Sequence, residues 1–205
     1  MHLSITLIII IITTLVSMQG FSSAAFAHKL SFSPYLAKHH NEQYRFFTHM
    51  FVHADWPHLI FNMISCYFLG RGIEQDLIYH FGPLLGSLHF VVLYIFGGLV
   101  ATLWPFIRNQ DNDLYFSLGA SGAVSSLIFA FILWNPAQDL YLFLSIPIPA
   151  YIFGPLYLAI EYYAFRKGKT NIAHDAHIGG ALFGIIYILI INIDKGKELI
   201  NLIIH

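Results

Sequence analysis

Polar residues divide this chain into apolar runs of roughly twenty residues, each long enough to cross a bilayer core of about 30 Å as a helix. The first runs from Leu3 to about Met18. Leu30 to Tyr44, with Pro34 and the pair His39-His40, reads as polar loop. Residues 45–56 mix aromatic rings, charge and histidine, a blend suited to the membrane–water interface. Pro57 opens a second span to about Leu69, which Arg71, Glu74 and Asp76 close in water. A third covers about Leu84 to Trp104, its Gly97-Gly98 pair marking close helix approach. After the polar loop Arg108 to Asp113, a fourth ends near Trp134, and Asn135 to Asp139 is a short turn. Tyr141 to Ala164 holds the fifth, with Pro147, Pro149 and Pro155 near its start, where a missing N–H has no partner to lose. The basic loop Arg166 to Asn171 leads into a sixth, about His174 to Ile193. The pattern predicts an all-α, six-span membrane bundle with an interfacial first loop. It forms one domain over residues 1–205, with its core at about 45–193 and a short amphipathic tail at 194–205.

Composition agrees. The chain is 57% hydrophobic and 10% charged, whereas a soluble domain averages about a quarter charged. A net charge of −1 gives no sign of nucleic-acid binding. Cys66 is the single cysteine, so no intramolecular disulfide forms, and its apolar surroundings make it helix filler. Ala25-Phe26-Ala27 resembles a signal-peptide cleavage site, but no Lys or Arg precedes the first apolar run, and a retained first helix is expected.

The stretch from Ser117 to Ser126 carries the first chemical hint. It is a loop feeding a helix, with Ser121 in the first turn, where backbone N–H groups lack intrahelical partners and the macrodipole is positive. A serine oxygen there lies beside ready-made donors for an anion. Gly119 and Gly122 clear side chains away, letting a substrate or another helix approach. Taken alone, Gly-Ala-Ser-Gly reads equally well as a small-residue packing patch.

Counting spans adds a constraint. The loops after spans one, three and five share one side and lead into the second, fourth and sixth helices, so His58, Ser121 and His177 lie on one side at similar depth. His177 is followed by Gly180, Ala181 and Gly184 at i+3, i+4 and i+7, a bare stripe on one face along which another helix packs backbone to backbone. If that neighbour is the serine helix, His177 acts as general base toward Ser121 and returns the proton to the leaving amine. An intramembrane histidine points to function by default, although a satisfied interhelical hydrogen bond also accounts for it. His58 and Asn62, four apart on one face, would join the Ser121 backbone N–H as oxyanion donors. Ordinary interhelical bonding explains that pair too.

The residues from Arg45 to Met63, with Trp56-Pro57-His58-Leu59-Ile60-Phe61-Asn62, resemble the first-loop and second-helix signature of rhomboid intramembrane serine proteases. Gly119-Ala120-Ser121-Gly122 is similar to their nucleophile motif, and Ala176-His177-Ile178-Gly179-Gly180-Ala181-Leu182-Phe183-Gly184 to their histidine helix. The Pro147-Ile148-Pro149 region is typical of them as well. The resemblance implies a six-helix core, a Ser121–His177 dyad that needs no cofactor or metal, and oxyanion donors His58, Asn62 and the Ser121 N–H. Substrates would be membrane-anchored proteins in the lipid bilayer, passing laterally by a mobile fifth helix, with water entering from the first-loop side. Arg45 and His53 match positions that brace the first loop.

Asp175 is unsuited as a third member, since two residues from His177 it points to nearly the opposite helix face. Tyr67 and Tyr115 are candidates to pack under the histidine ring. The resemblance implies cytoplasmic termini, in the plasma (inner) membrane if the chain is bacterial. The positive-inside rule runs the other way. Lys29, Lys38, Arg45, Arg108, Arg166, Lys167 and Lys169 share the catalytic side, against Arg71, Lys195 and Lys197. Two other functions compete. One is a catalytically silent relative that binds membrane segments. The other is a histidine-rich metal-binding membrane protein, for which His49-x-x-x-His53 and His174-x-x-His177 have suitable spacing. No carboxylate is expected to join those pairs as in a His-Glu-x-x-His site, and the metal reading leaves the Ser121 and glycine motifs unexplained. His49, His80, His89 and His174 receive no role.

Overall fold

The computed structural model describes residues 4–142, 145–168 and 172–204. Leu3, where the first span was expected to begin, and Lys169, Thr170 and Asn171 of the basic loop lie outside them. The helices are α1 (Ile5–Ser22), the short α2 (Ala24–Leu30), α3 (Pro34–His39) and α4 (Arg45–Thr48), then α5 (Trp56–Ser65) and α6 (Arg71–Phe81). Next come α7 (Pro83–Ala101), α8 (Leu103–Asn109), α9 (Ser121–Trp134), α10 (Ala150–Lys167), α11 (His174–Ile191) and α12 (Asp194–Ile204). Among the described residues, α1, the α7–α8 run and α11 are long and apolar enough to cross a membrane. Large apolar side chains such as Phe61, Leu84 and Ile190 face outward, as a lipid-facing surface requires. This is an all-α membrane fold.

At its centre stands α9. Every residue from Gly122 to Trp134 is buried, so the helix is covered around its whole circumference and α5, α6, α7, α10 and α11 surround it.

Three expectations need correction. The polar segment between Leu30 and Tyr44 is not plain loop. Ser23 and Ser33 accept hydrogen bonds from the N–H groups of Phe26 and Leu36, capping α2 and α3. The second span does not end at Leu69. A π-helical segment, Cys66–Gly70, joins α5 to α6, and Glu74 is buried rather than in water. Its carboxylate accepts from Ser4 Oγ at 2.6 Å, the Ile5 N–H at 2.6 Å, the Thr6 N–H at 3.2 Å and Thr6 Oγ1 at 2.7 Å. A carboxylate from another helix thus caps the start of α1, supplying partners for first-turn N–H groups and complementing the dipole. The fifth helix begins at Ala150, later than the apolar pattern suggested. Before it lies an antiparallel hairpin of β1 (Asp139–Leu142) and β2 (Ile146–Pro149). Pro147 and Pro149 cannot donate to a helix or an inner ladder, and a two-stranded ribbon tolerates them.

Candidate active site

The bare stripe on α11 meets α9. A Cβ added at Gly180 would fall on the Gly122 carbonyl oxygen, and one at Gly184 on the Ser126 carbonyl oxygen. Gly122 itself has room for no side chain, because Ala101 Cβ would lie 2.5 Å away. The two backbones therefore touch, at a separation only glycine permits. Three residues before Gly180, His177 reaches across so that its Nε2 lies 2.7 Å from Ser121 Oγ. Ser121 is the first residue of α9, so its own N–H points out of the helix end.

The loop ahead of Ser121 is held by the first loop. Gly119, at φ +125°, takes a conformation that disfavours side chains. An added Cβ there would come within 2.6 Å of His58 Cε1 and 2.8 Å of its Nε2, so the His58 ring lies directly over the serine loop. The Gly119 N–H donates to the His49 carbonyl at 3.0 Å, and the Ala120 N–H to His53 Nε2 at 3.2 Å. Accepting at Nε2 puts the His53 proton on Nδ1, 2.9 Å from Ser17 Oγ, and Ser17 in turn donates to the Phe51 carbonyl. Burial, with the neighbouring His58 and His49, holds His53 down to about 3, so it stays neutral. Burial also holds His49 down to about 4. Arg45, itself buried, spans the first loop by donating to the His28 and Ser31 carbonyls, each at 2.7 Å, and to Glu42 at 2.6 Å.

Asn62 is buried on the same face of α5 as His58, and one of its amide N–H groups donates to the His58 carbonyl at 2.9 Å. Its second N–H is a further donor. Beside Ser121 is a cavity of about 20 Å³ lined by His49, Thr102, Ser117, Gly119 and Gly122, space for about one water.

On the far side of His177 is a residue the sequence reading missed. Glu161, from α10, puts Oε1 at 3.1 Å from His177 Nδ1 and Oε2 at 2.6 Å from His174 Nδ1. The first contact is off the line of the ring N–H, so His177 Nδ1 is enclosed without an aligned hydrogen-bond partner. A carboxylate does therefore join the His174-x-x-His177 pair. It comes from a different helix, so local spacing could not reveal it. Its signal was its isolation, as the one acidic residue in the apolar run from Ala150 to Phe165. Asp175 turns away, as its helix face requires, and pairs with Arg108 at 3.3 Å. Tyr67 meets Phe68 edge to face, and the ring nearest His177 among the described contacts is His174, 6.1 Å away. His49 and His53 bond separate partners and do not converge. His89 bonds the Tyr187 hydroxyl at 2.7 Å, and His80 packs on Phe81 and Trp134.

A family model described as the Rhomboid domain matches residues 40–193. The chain belongs to the rhomboid family. This rhomboid is 30% identical over 141 residues to RHOMBOID-like protein 12, mitochondrial, of Arabidopsis thaliana, covering 65% of this chain and 42% of that protein. It is 29% identical over 142 residues to Presenilin-associated rhomboid-like protein A, mitochondrial, of Danio rerio, covering 67% and 35%. It is 26% identical over 149 residues to Rhomboid protease GlpG of Salmonella paratyphi A, covering 70% and 47%. The match thus spans less than half the length of each of these three relatives.

Proposed function

We propose that this rhomboid is a six-span intramembrane serine endopeptidase that cleaves membrane-anchored proteins through Ser121 and His177. The observation that carries this reading is the 2.7 Å contact between Ser121 Oγ and His177 Nε2, made across two helices whose glycines serve to bring them together. His177 Nε2 accepts the hydroxyl proton as Oγ attacks the substrate carbonyl, and returns it to the leaving amine. The oxyanion of the tetrahedral intermediate is stabilised by the Ser121 N–H, His58 and the free N–H of Asn62, and losing one such donor costs about a hundred- to thousand-fold in rate. A water in the cavity beside Ser121 then hydrolyses the acyl-enzyme with His177 as base. Glu161 keeps the His177 proton on Nδ1, leaving Nε2 as the acceptor, and balances the imidazolium as it forms. Unlike the buried acid of a soluble triad, it does so without an aligned hydrogen bond.

Purified chain in proteoliposomes with a single-span model substrate tests the reading. Ser121→Ala and His177→Ala are each expected to abolish cleavage while thermal unfolding is unchanged. A fluorophosphonate reagent is expected to label the wild-type chain on the peptide carrying Ser121. Cleavage that survives in either variant would reject the dyad. A chain inert to both substrate and reagent would leave a binder of membrane segments.

A further inference from the structure

We infer that Glu161, His174 and His177 form a binding site for a divalent cation of the zinc class, and that an ion held there switches the protease off. One carboxylate faces the Nδ1 atoms of two histidines, and the three ligand atoms all lie within 4.8 Å of one another. Side-chain exposure is 12% for Glu161, 10% for His174 and 12% for His177, so the cluster is shielded but not sealed. A cavity of about 150 Å³, lined in part by His174, Asp175, Tyr115 and Arg108, reaches the cluster at His174. Two imidazole nitrogens and one carboxylate oxygen suit zinc, with the fourth position open to water. Tetrahedral bonds of about 2.0–2.2 Å set ligand atoms about 3.3 Å apart. The contacts from the two Glu161 oxygens, 2.6 Å and 3.1 Å, would open toward that spacing, and ligand atoms now up to 4.8 Å apart would close toward it, a side-chain adjustment on the order of an ångström. Within the cluster His177 Nδ1 is enclosed, and its 3.1 Å contact with Glu161 Oε1 is not an aligned hydrogen bond. A metal bond would give that nitrogen a better-directed partner than the carboxylate does.

Inhibition follows from proton bookkeeping. A neutral imidazole carries one proton, and a cation on Nδ1 leaves that proton on Nε2. His177 Nε2 then donates toward Ser121 instead of accepting from it, and the hydroxyl cannot be deprotonated. No proton is gained or lost, and the ion lifts the formal charge of the cluster from −1 to +1. Ion occupancy and peptide hydrolysis exclude each other. The ion would also fasten α10 to α11. The inhibitory step rests on the Ser121–His177 reading above, whereas ion binding does not.

The experiment separates the two. Zinc is titrated into the wild-type chain and the His174→Gln variant, and inhibition is read as the rate with ion over the rate without it in the same protein, so altered basal activity drops out. Wild type is expected to be inhibited reversibly, with recovery on adding a chelator. His174→Gln should need at least about tenfold more zinc, since losing a ligand costs no less than the ten- to hundredfold of disturbing the groups behind one. In parallel, cobalt and zinc are titrated into Ser121→Ala, which needs no activity. One ion per chain with a tetrahedral cobalt spectrum is expected, lost in Ser121→Ala combined with Glu161→Gln or His174→Gln. Equal zinc sensitivity in wild type and His174→Gln would overturn the inhibitory role. Unchanged cobalt binding in the double variants would overturn the site itself.

Discussion

The two partners of His177 are held in opposite ways. Ser121 opens a helix buried along its length, its backbone against α11 and the loop before it tied to the first loop at Gly119 and Ala120. Glu161 rides on α10, where only Ala150 and Gly154 are buried. That helix is anchored by a few side-chain contacts, among them Tyr157 to Ser125 at 3.2 Å and Glu161 to the two histidines. One side of the imidazole is fixed by close backbone packing, the other by a helix held through side chains, the apolar Phe153, Tyr157 and Leu158 on the core and the polar contacts of Tyr157 and Glu161. The two neighbours of the histidine are thus built from different interactions: backbone contact through glycines on one side, side-chain contact on the other.

Replacing glycine by alanine on each side gives the largest contrast. Gly180→Ala drives a methyl into the Gly122 carbonyl. Overpacking of this kind costs about 1–3 kcal/mol or more, and calorimetry in detergent should show a clear drop in Tm together with loss of cleavage, because His177 moves with its helix. Gly154→Ala meets Ile132 Cγ2 at 3.4 Å and Phe129 Cε1 at 3.5 Å, ordinary contact distances. With roughly 1 kcal/mol of helix propensity in its favour, its Tm should hold or rise. Equal effects at both positions would erase the distinction between the two helices.

Glu161→Gln comes next. It keeps the shape and removes the charge that the proposed mechanism uses to balance the imidazolium. Cleavage is expected to fall by about ten- to hundredfold, less than the roughly 10⁴-fold of a soluble triad whose acid is aligned. The loss should lie in kcat rather than KM, with fluorophosphonate labelling slowed in parallel and Tm little changed.

The smallest effect belongs to the first loop. An unfolded histidine titrates near 6.5, while His53 is held down to about 3. As pH falls, the unfolded chain takes up the proton first, so the His53 contribution to stability is complete above 6.5 and is lost progressively from there toward 3. Tm measured at pH 7.5 and pH 5 should show this slope, and His53→Gln should flatten it while its side-chain oxygen still accepts from the Ala120 N–H.

What could be read in the sequence follows the same division. That α11 carries a face for close backbone packing was legible because glycines at i, i+4 and a histidine at i−3 are a local pattern; that the neighbour is α9 was left open by the spacing and implied only by the resemblance. His58, Ser121 and His177 were aligned by counting spans alone. Glu161 was not found, since it acts through a neighbour on another helix and leaves no spacing signature on its own. Glu74 misled for a related reason: a carboxylate near the end of an apolar run ordinarily reaches water, but here the start of a different helix offers it four donors. The hairpin before α10 was hidden because β-branched residues and prolines within an apolar run do not set a period.

Glu74 has a further consequence for α1. A deletion lacking residues 4–6 would strip that carboxylate of its Ser4, Ile5 and Thr6 donors and leave a bare anion among packed helices. At its other end the same helix lends Ser17 to His53, and so to the loop that carries the nucleophile candidate. The leading helix is therefore a strut bolted at both ends, and shortening it would be felt in the serine loop as well as in the anchoring of the chain.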